Sequence, residues 1–145
     1  MQIAQPSPLD TQPRIGKKLP KLGLDGNVNN EMMLNQTTFE TFLQLDIRVG
    51  TIVEAVFFEK AIQPAYLLTI DFGEQIGIKK SSAQITKLYQ PQNLVGKQII
   101  AVVNFPPKQI ANIMSECLVL GVTANDGSVV LLQPEQETPN GLKIG

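Results

Sequence analysis

Histidine and tryptophan are absent from this chain of 145 residues, and cysteine occurs only once. Without histidine, the chain cannot build a Ser-His-Asp triad, a Cys-His dyad or a histidine-containing zinc site from its own residues. A single cysteine cannot form an internal disulfide, which fits a reducing cytoplasm. No compact group of carboxylates stands out either. We therefore expect a binding protein rather than an enzyme, with no catalytic residue, no metal and no cofactor.

Neither sign of charge dominates, because 12 basic residues stand against 13 acidic ones. The field of the whole chain does not attract nucleic acid, so any such binding needs a local basic patch. The sequence also lacks the run of roughly 20 apolar residues that a membrane helix requires. Its first residues lack the apolar segment of a secretory signal. We expect neither membrane insertion nor a secretory signal.

Two regions differ in composition. Residues 1–36 are rich in proline, glycine and asparagine, which interrupt every apolar period. This pattern predicts a flexible N-terminal tail, followed by one folded domain over residues 37–145. The tail carries a group of basic residues that can meet an anionic partner, although a solvated tail is the simpler interpretation. The group consists of Arg14, Lys17, Lys18 and Lys21.

A short helix is predicted at the start of the domain. Thr37 and Glu40 have the spacing of a capping box. Phe39, Phe42 and Leu43 then fall on one helical face. We expect this helix to cover one end of a barrel or to contact another subunit.

The rest of the chain is predicted to be rich in β-strands, with a bend or bulge at Gly50 and tight turns at Gly73 and at residues 125–127. The expected strands are 45–58, 65–73, 74–80, 97–105, 116–123 and 128–133. One helix is predicted inside this run, over residues 82–89. This order is typical of an all-β OB-fold with short helices: a five-stranded Greek-key barrel, here with an N-terminal helix. The final residues, "GLKIG", suggest an extra C-terminal strand.

The stretch "IGIKKSSAQI" at residues 76–85 combines a strand pattern with two lysines and an expected helix start. Ser81 and Gln84 have capping-box spacing, and capping alone explains the serine. Alternatively, a helix N-terminus beside Lys79 and Lys80 forms an anion site for a phosphate. Successive strand residues point to opposite faces, so we expect only one of the two lysines to face that ligand.

Several motifs together give the chain a family resemblance. They are "LDIRVGTIVEA", "LLTIDFG", "IGIKKSSAQIT", "VGKQIIAVVNFPPKQIANIMSECLVLG" and "VVLLQPEQETPNGLKIG". In this order they resemble the CsaA family, small members of the tRNA-binding-domain superfamily. The resemblance covers roughly residues 38 to 145. It implies a cytoplasmic OB-fold homodimer that binds tRNA and acts as a chaperone for unfolded or presecretory polypeptides.

The resemblance also nominates residues for nucleic-acid binding. A serine in the turn after the third strand corresponds to Ser82, with Ser81 beside it. An asparagine that ends the fourth strand corresponds to Asn104, and a Ser-Glu pair before the fifth strand corresponds to Ser115 and Glu116. Asn104, Ser115 and Glu116 lie at expected strand ends, where polar side chains either support the backbone or contact a ligand. Both interpretations stay open.

Phe105, Pro106 and Pro107 form either a rigid turn or one wall of an apolar groove. Phe105 can stack on a base or pack against a polypeptide client. Arg48 either pairs with a carboxylate such as Asp46 or Glu116, which is the favoured interpretation, or contacts a base. The sequence thus supports two functions, a tRNA-binding chaperone or a structure-selective tRNA-binding protein with no chaperone role.

Overall fold

The computed structural model describes residues 33–145 and consists mainly of short strands. Its two helices are α1 (Phe39–Leu43) and α2 (Pro91–Leu94). The strands are β1 (Ile47–Phe57), β2 (Tyr66–Asp71), β3 (Ile78–Ala83), β4 (Gln98–Val102), β5 (Lys108–Ile110), β6 (Ile113–Ser115), β7 (Leu118–Val119), β8 (Gly121–Thr123) and β9 (Val129–Leu131). Neither helix within this part of the chain has the length and apolar character needed to cross a bilayer.

Five strands form one antiparallel sheet in the order β3-β2-β1-β4-β7. The sheet curls until β3 approaches the segment before β7, which produces the nearly closed barrel of an OB-fold. Alternate residues of each strand point inward, as the period of two requires. The side chains of Ile52, Leu68, Ile70 and Ile99 are completely buried in the core. The predicted fold class is confirmed.

Gly50 is needed for close packing and not for a bulge. A Cβ atom at this position would lie 2.7 Å from Ile70 and from the ring of Phe72. The irregularity of β1 comes later, because the pairing with β2 shifts register between Ile52 and Glu54. The predicted bulge at Gly50 is therefore wrong in position. The cause is that a buried glycine and a bulged glycine give the same sequence signal.

The first helix begins one residue later than its sequence signal. Thr38, not Thr37, is the N-cap, and its Oγ1 accepts a hydrogen bond of 3.2 Å from the Thr41 backbone N–H. Two adjacent threonines offer the same cap chemistry, which explains the error. Phe39 and Leu43 remain exposed to 66% and 48%, so the apolar face of α1 does not enter the core.

The helix predicted over residues 82–89 does not exist. Ser81, Ser82 and Ala83 complete β3, and residues 86–88 form a turn. The short helix in this part of the chain is α2, which begins with Pro91 in the first turn. Pro91 was the available sequence signal for α2, because proline is common in the first turn of a helix.

Two hairpins follow β4. Strands β5 and β6 pair across a two-residue loop, in which Ala111 has a φ of 52°. The loop lacks the glycine that usually signals a tight hairpin, and this hairpin was not predicted. The hairpin of β8 and β9 was predicted from its turn. Gly127 has a φ of 86°, and the Asp126 carboxylate accepts hydrogen bonds from the N–H and hydroxyl of Ser128. These bonds lower the pKa of Asp126.

The C-terminal segment runs beside the first half of β1. Val49 donates its N–H to the Leu142 carbonyl, and Ile144 donates to the Ile47 carbonyl. Gly141 has a φ of 92°, and a Cβ there would lie 2.5 Å from the Phe72 carbonyl oxygen. The expected extra strand is thus present as an extended segment with one isolated bridge, between Arg48 and Lys143.

Candidate nucleic-acid interface

Lys79 and Lys80 lie on opposite faces of β3. Lys79 pairs with the buried Ile70, whereas Lys80 pairs with Thr69 on the outer face of the sheet. The Lys80 Nζ is 3.5 Å from the Thr69 hydroxyl, which in turn is 3.4 Å from the Glu54 carboxylate. Since β3 continues through Ser81, no helix N-terminus follows the lysines. The predicted combination of lysines and helix N-terminus is therefore wrong.

Side chains close the barrel between β3 and residues 115–117, a contact that we call the seam. The Glu116 carboxylate accepts a hydrogen bond of 2.8 Å from the Lys80 N–H, and the Ser115 hydroxyl accepts one of 3.1 Å from the Ser82 N–H. A backbone bond of 2.8 Å from the Glu116 N–H to the Lys80 carbonyl lies between them. These side chains replace part of the backbone ladder that would otherwise join two strands.

Ser81 points into the seam from the other side. Its side chain is almost completely buried, and its hydroxyl donates a hydrogen bond of 3.0 Å to the Cys117 carbonyl. Ser81 thus belongs to β3 and does not cap a helix. Burial raises the pKa of the Cys117 thiol to about 12, and the nearby positive charge of Lys79 opposes that rise. Cys117 is a buried residue with a free thiol.

Asn104 joins the end of β4 to the chain that leaves α1. Its side-chain oxygen accepts a hydrogen bond of 2.9 Å from the Asp46 N–H, and its Nδ2 donates one of 2.8 Å to the Gln44 carbonyl. These two bonds fix the orientation of the amide and use one of its two acceptor sites and one of its two donor hydrogens. Of the two interpretations of Asn104, the contacts favour support of the backbone.

Arg48 is already paired within the domain. Its guanidinium lies 2.5 Å from the Asp46 carboxylate and donates a hydrogen bond of 2.9 Å to the Gly141 carbonyl. The predicted pairing of Arg48 with Asp46 is confirmed, and the alternative partner Glu116 is instead bound to β3. Arg48 therefore fastens the C-terminal segment to β1.

Phe105, Pro106 and Pro107 lie on the surface between β4 and the β5–β6 hairpin. The Phe105 ring is 44% exposed, and Met114 on the hairpin is 48% exposed. Lys108 pairs with Ser115 across that hairpin, which brings a basic residue toward the seam. The sequence drew attention to the phenylalanine but not to the hairpin that follows it.

These contacts can be compared with known proteins. The tRNA_bind family model, a tRNA binding domain, matches residues 47–143. The solved structure of chaperone CsaA from Bacillus anthracis is 56% identical, with a TM-score of 0.73 over 77% of this chain and 100% of that chain. CsaA from Picrophilus torridus is 55% identical, with a TM-score of 0.71 over 76% of this chain and all of that chain. This chain belongs to the CsaA family, within the tRNA-binding-domain superfamily.

The CsaA-family domain is also similar to part of a larger enzyme. Methionine–tRNA ligase of Porphyromonas gingivalis is 37% identical over 106 residues, which are 73% of this chain. The match spans only 15% of the ligase, and so it concerns the tRNA-binding domain alone. A protein related to methionyl-tRNA synthetase from Pyrococcus horikoshii, at 24% identity and a TM-score of 0.69, shows the same fold.

Within this CsaA-family chain, the structure divides the candidate residues into two groups. One group is held by side-chain hydrogen bonds within the domain: Ser81, Asn104, Ser115 and Glu116. Ser82 is bonded to the seam only through its backbone N–H, and the residue is half-exposed. The other group presents exposed or half-exposed side chains: Lys79, Lys80, Phe105, Pro106 and Pro107. Lys108 joins the second group, and only the pairing of β5 with β6 reveals its position beside the seam.

Proposed function

We propose that this protein binds tRNA and acts as a cytoplasmic chaperone for exported polypeptides, as a homodimer. The match of the tRNA-binding family model over residues 47–143 is the observation that carries the tRNA part. The 56% identity with a chaperone CsaA supports the polypeptide part. Residues 37–145 form the proposed functional unit, with residues 1–36 as an appended tail. No catalytic role is proposed, since the ligase match concerns the tRNA-binding domain alone.

Binding of tRNA is proposed to occur beside the seam, through one lysine of β3 and the nearby Lys108. The described domain is acidic overall, with 8 basic and 10 acidic residues over 33–145, so few phosphates can be neutralised at once. Binding should therefore be weak and should fall only gradually with salt, with a slope for about two to four phosphates per site.

Titration with a labelled tRNA over a range of salt concentrations tests this part. The expected result is saturable binding. An unlabelled folded tRNA should compete with the labelled tRNA better than an unstructured RNA of equal length does. Equal competition by both would support only non-specific binding. An absence of binding at low salt would refute the tRNA function.

Polypeptide binding is proposed to use the exposed ring of Phe105 with Pro106 and Pro107. Apolar surface that stays in water in the folded domain can cover apolar segments of an unfolded chain. Phe105→Ala should weaken the capture of an apolar peptide several-fold. Phe57→Ala is a matched control, because the Phe57 ring is 54% exposed and lies at the end of β1. If both variants lose peptide binding equally, the proposed surface is wrong.

The proposed homodimer gives a role to apolar residues that the single domain leaves exposed. Val122 and Val130 are paired across the β8–β9 hairpin and are exposed to 57% and 48%. Light scattering should give twice the chain mass of 15.9 kDa. Val130→Lys should reduce the measured mass toward a monomer, whereas Val56→Lys on β1 should not. A monomer of the parent at high micromolar concentration would refute the dimer.

The second candidate function is tRNA binding without a chaperone role. The polar seam and its lysines favour this alternative, since they need no apolar client. A suppression assay with an aggregating, unfolded substrate separates the two functions. Protection by the parent protein at stoichiometric amounts supports the chaperone, and aggregation at the rate of the substrate alone supports the alternative.

A further inference from the structure

The two neighbouring lysines of β3 lie in different surroundings, although the sequence alone does not distinguish them. Lys80 belongs to a row of three residues that crosses the outer face of the sheet, with Thr69 in the middle and Glu54 at the end. The hydroxyl of Thr69 connects the ammonium and carboxylate over distances of 3.5 and 3.4 Å. The positive charge of Lys80 thus lies opposite a negative charge on the same face.

The outer face of the sheet is unfavourable for phosphate groups. Asp71 follows Thr69 on the same side of β2, so that this face presents Glu54 and Asp71 against Lys80. Two carboxylates and one ammonium leave the face with a net negative charge. A polyanion that approaches Lys80 is repelled by both acids.

Lys79 lies on the other side of β3, in a different electrostatic environment. Its side chain is half-buried, on the same side as Ser81 and Ile70, near the seam. Within residues 33–145, the ion pair between Arg48 and Asp46 is the only one with a nitrogen–oxygen distance within 4.0 Å. Lys79 and Lys80 both lack a carboxylate partner at that distance, and they differ in the charges that share their side of the sheet. Glu116 of the seam accepts a hydrogen bond from the Lys80 N–H through one of its carboxylate oxygens.

No acidic residue of β1, β2 or β3 shares the side of the sheet on which Lys79 lies, so a phosphate oxygen can approach its ammonium without the repulsion that Glu54 and Asp71 exert on the outer face. We infer that Lys79, rather than Lys80, contacts a phosphate of bound RNA at the mouth of the barrel beside the seam. This inference rests on the proposed tRNA binding and specifies the residue that supplies the charge. Lys80 remains a residue of the sheet surface.

The adjacent lysines provide a matched pair of variants in the full chain. Lys79→Gln should raise the Kd for a tRNA transcript about tenfold, as expected for the loss of one charge-assisted contact. It should also reduce the slope of log Kd against log salt by roughly 0.7 to 0.9. Lys80→Gln removes the same charge one residue away and should change the Kd by less than twofold. Lys79→Arg keeps the charge and should retain most of the affinity.

Each outcome supports or contradicts the assignment of the phosphate contact to Lys79. If Lys80→Gln weakens binding as much as Lys79→Gln, or more, the outer face carries the contact and the inference is wrong. If neither variant changes the affinity of a parent that binds tRNA, the inference fails while the proposed function stands. If the parent itself binds no tRNA, both fail. Lys79→Met replaces Lys79→Gln should the glutamine variant show an altered near-ultraviolet circular dichroism spectrum.

Discussion

The pairing of β1 with β2 and the seam join strands of the same barrel by different means. Strands β1 and β2 are aligned over six paired positions, and they bury Ile52 and Leu68 completely. At the seam, the side chains of Ser115 and Glu116 accept the hydrogen bonds of β3. The first contact depends on an apolar pattern that many residues can satisfy. The second depends on the identity of individual polar side chains.

The largest effect on the free energy of unfolding is expected in the core between β1 and β2. Leu68→Ala leaves a cavity at a completely buried position and should lower the free energy of unfolding by about 2–5 kcal/mol. Leu67→Ala on the half-exposed side is the control and should cost much less. Denaturant titration measures both variants. Equal losses would show that burial does not distinguish the two faces of β2.

A smaller effect is expected at the seam. Glu116→Ala leaves the Lys80 N–H without its acceptor and should cost about 1–3 kcal/mol. Amide hydrogen exchange should become faster at Lys80 and Ser82, while Leu68 keeps its protection. Glu116→Gln retains an oxygen acceptor and should resemble the parent more closely. Uniformly faster exchange throughout the barrel would contradict a local role for this carboxylate.

The reactivity of the Cys117 thiol measures whether the seam is closed. Burial raises its pKa to about 12, so the folded protein should react slowly with a thiol reagent at pH 8. Glu116→Ala should accelerate the reaction by opening the seam. The folded-state pKa lies above the ordinary 9.0, so the neutral thiol contributes stability in full below pH 9. That contribution is lost between pH 9 and about 12. Rapid labelling of the native parent would contradict this account.

The smallest effect is expected on the outer face. Lys80→Gln removes an exposed charge whose contact with Thr69 is long, at 3.5 Å. The free energy of unfolding should change by less than about 0.5 kcal/mol. A loss as large as that of Glu116→Ala would mean that the Lys80 side chain, and not only its backbone, holds the seam.

Most of the candidate residues were found from the sequence, but their roles were not. Ser81 and Gln84 have the spacing of a capping box, yet Ser81 lies in a strand, because tertiary pairing with β2 outweighs a local cap signal. Ser115 and Glu116 stood out through the family resemblance. The side-chain oxygens of these residues accept hydrogen bonds from residues of β3 that lie 33 and 36 positions away in the chain. No local sequence pattern reveals such a contact.

The sequence by itself determined the all-β class, the main strands and the turn at Asp126 and Gly127. Each of these depends on alternation or on backbone chemistry within a few neighbouring residues. Only the tertiary structure decided how the barrel closes, where the C-terminal segment lies and which lysine shares its face of the sheet with Glu54 and Asp71. These features arise from contacts between distant residues, as between Arg48 and Gly141 or between Lys80 and Glu116. Their formation depends on the curvature of the whole sheet, which brings those distant residues within hydrogen-bonding distance.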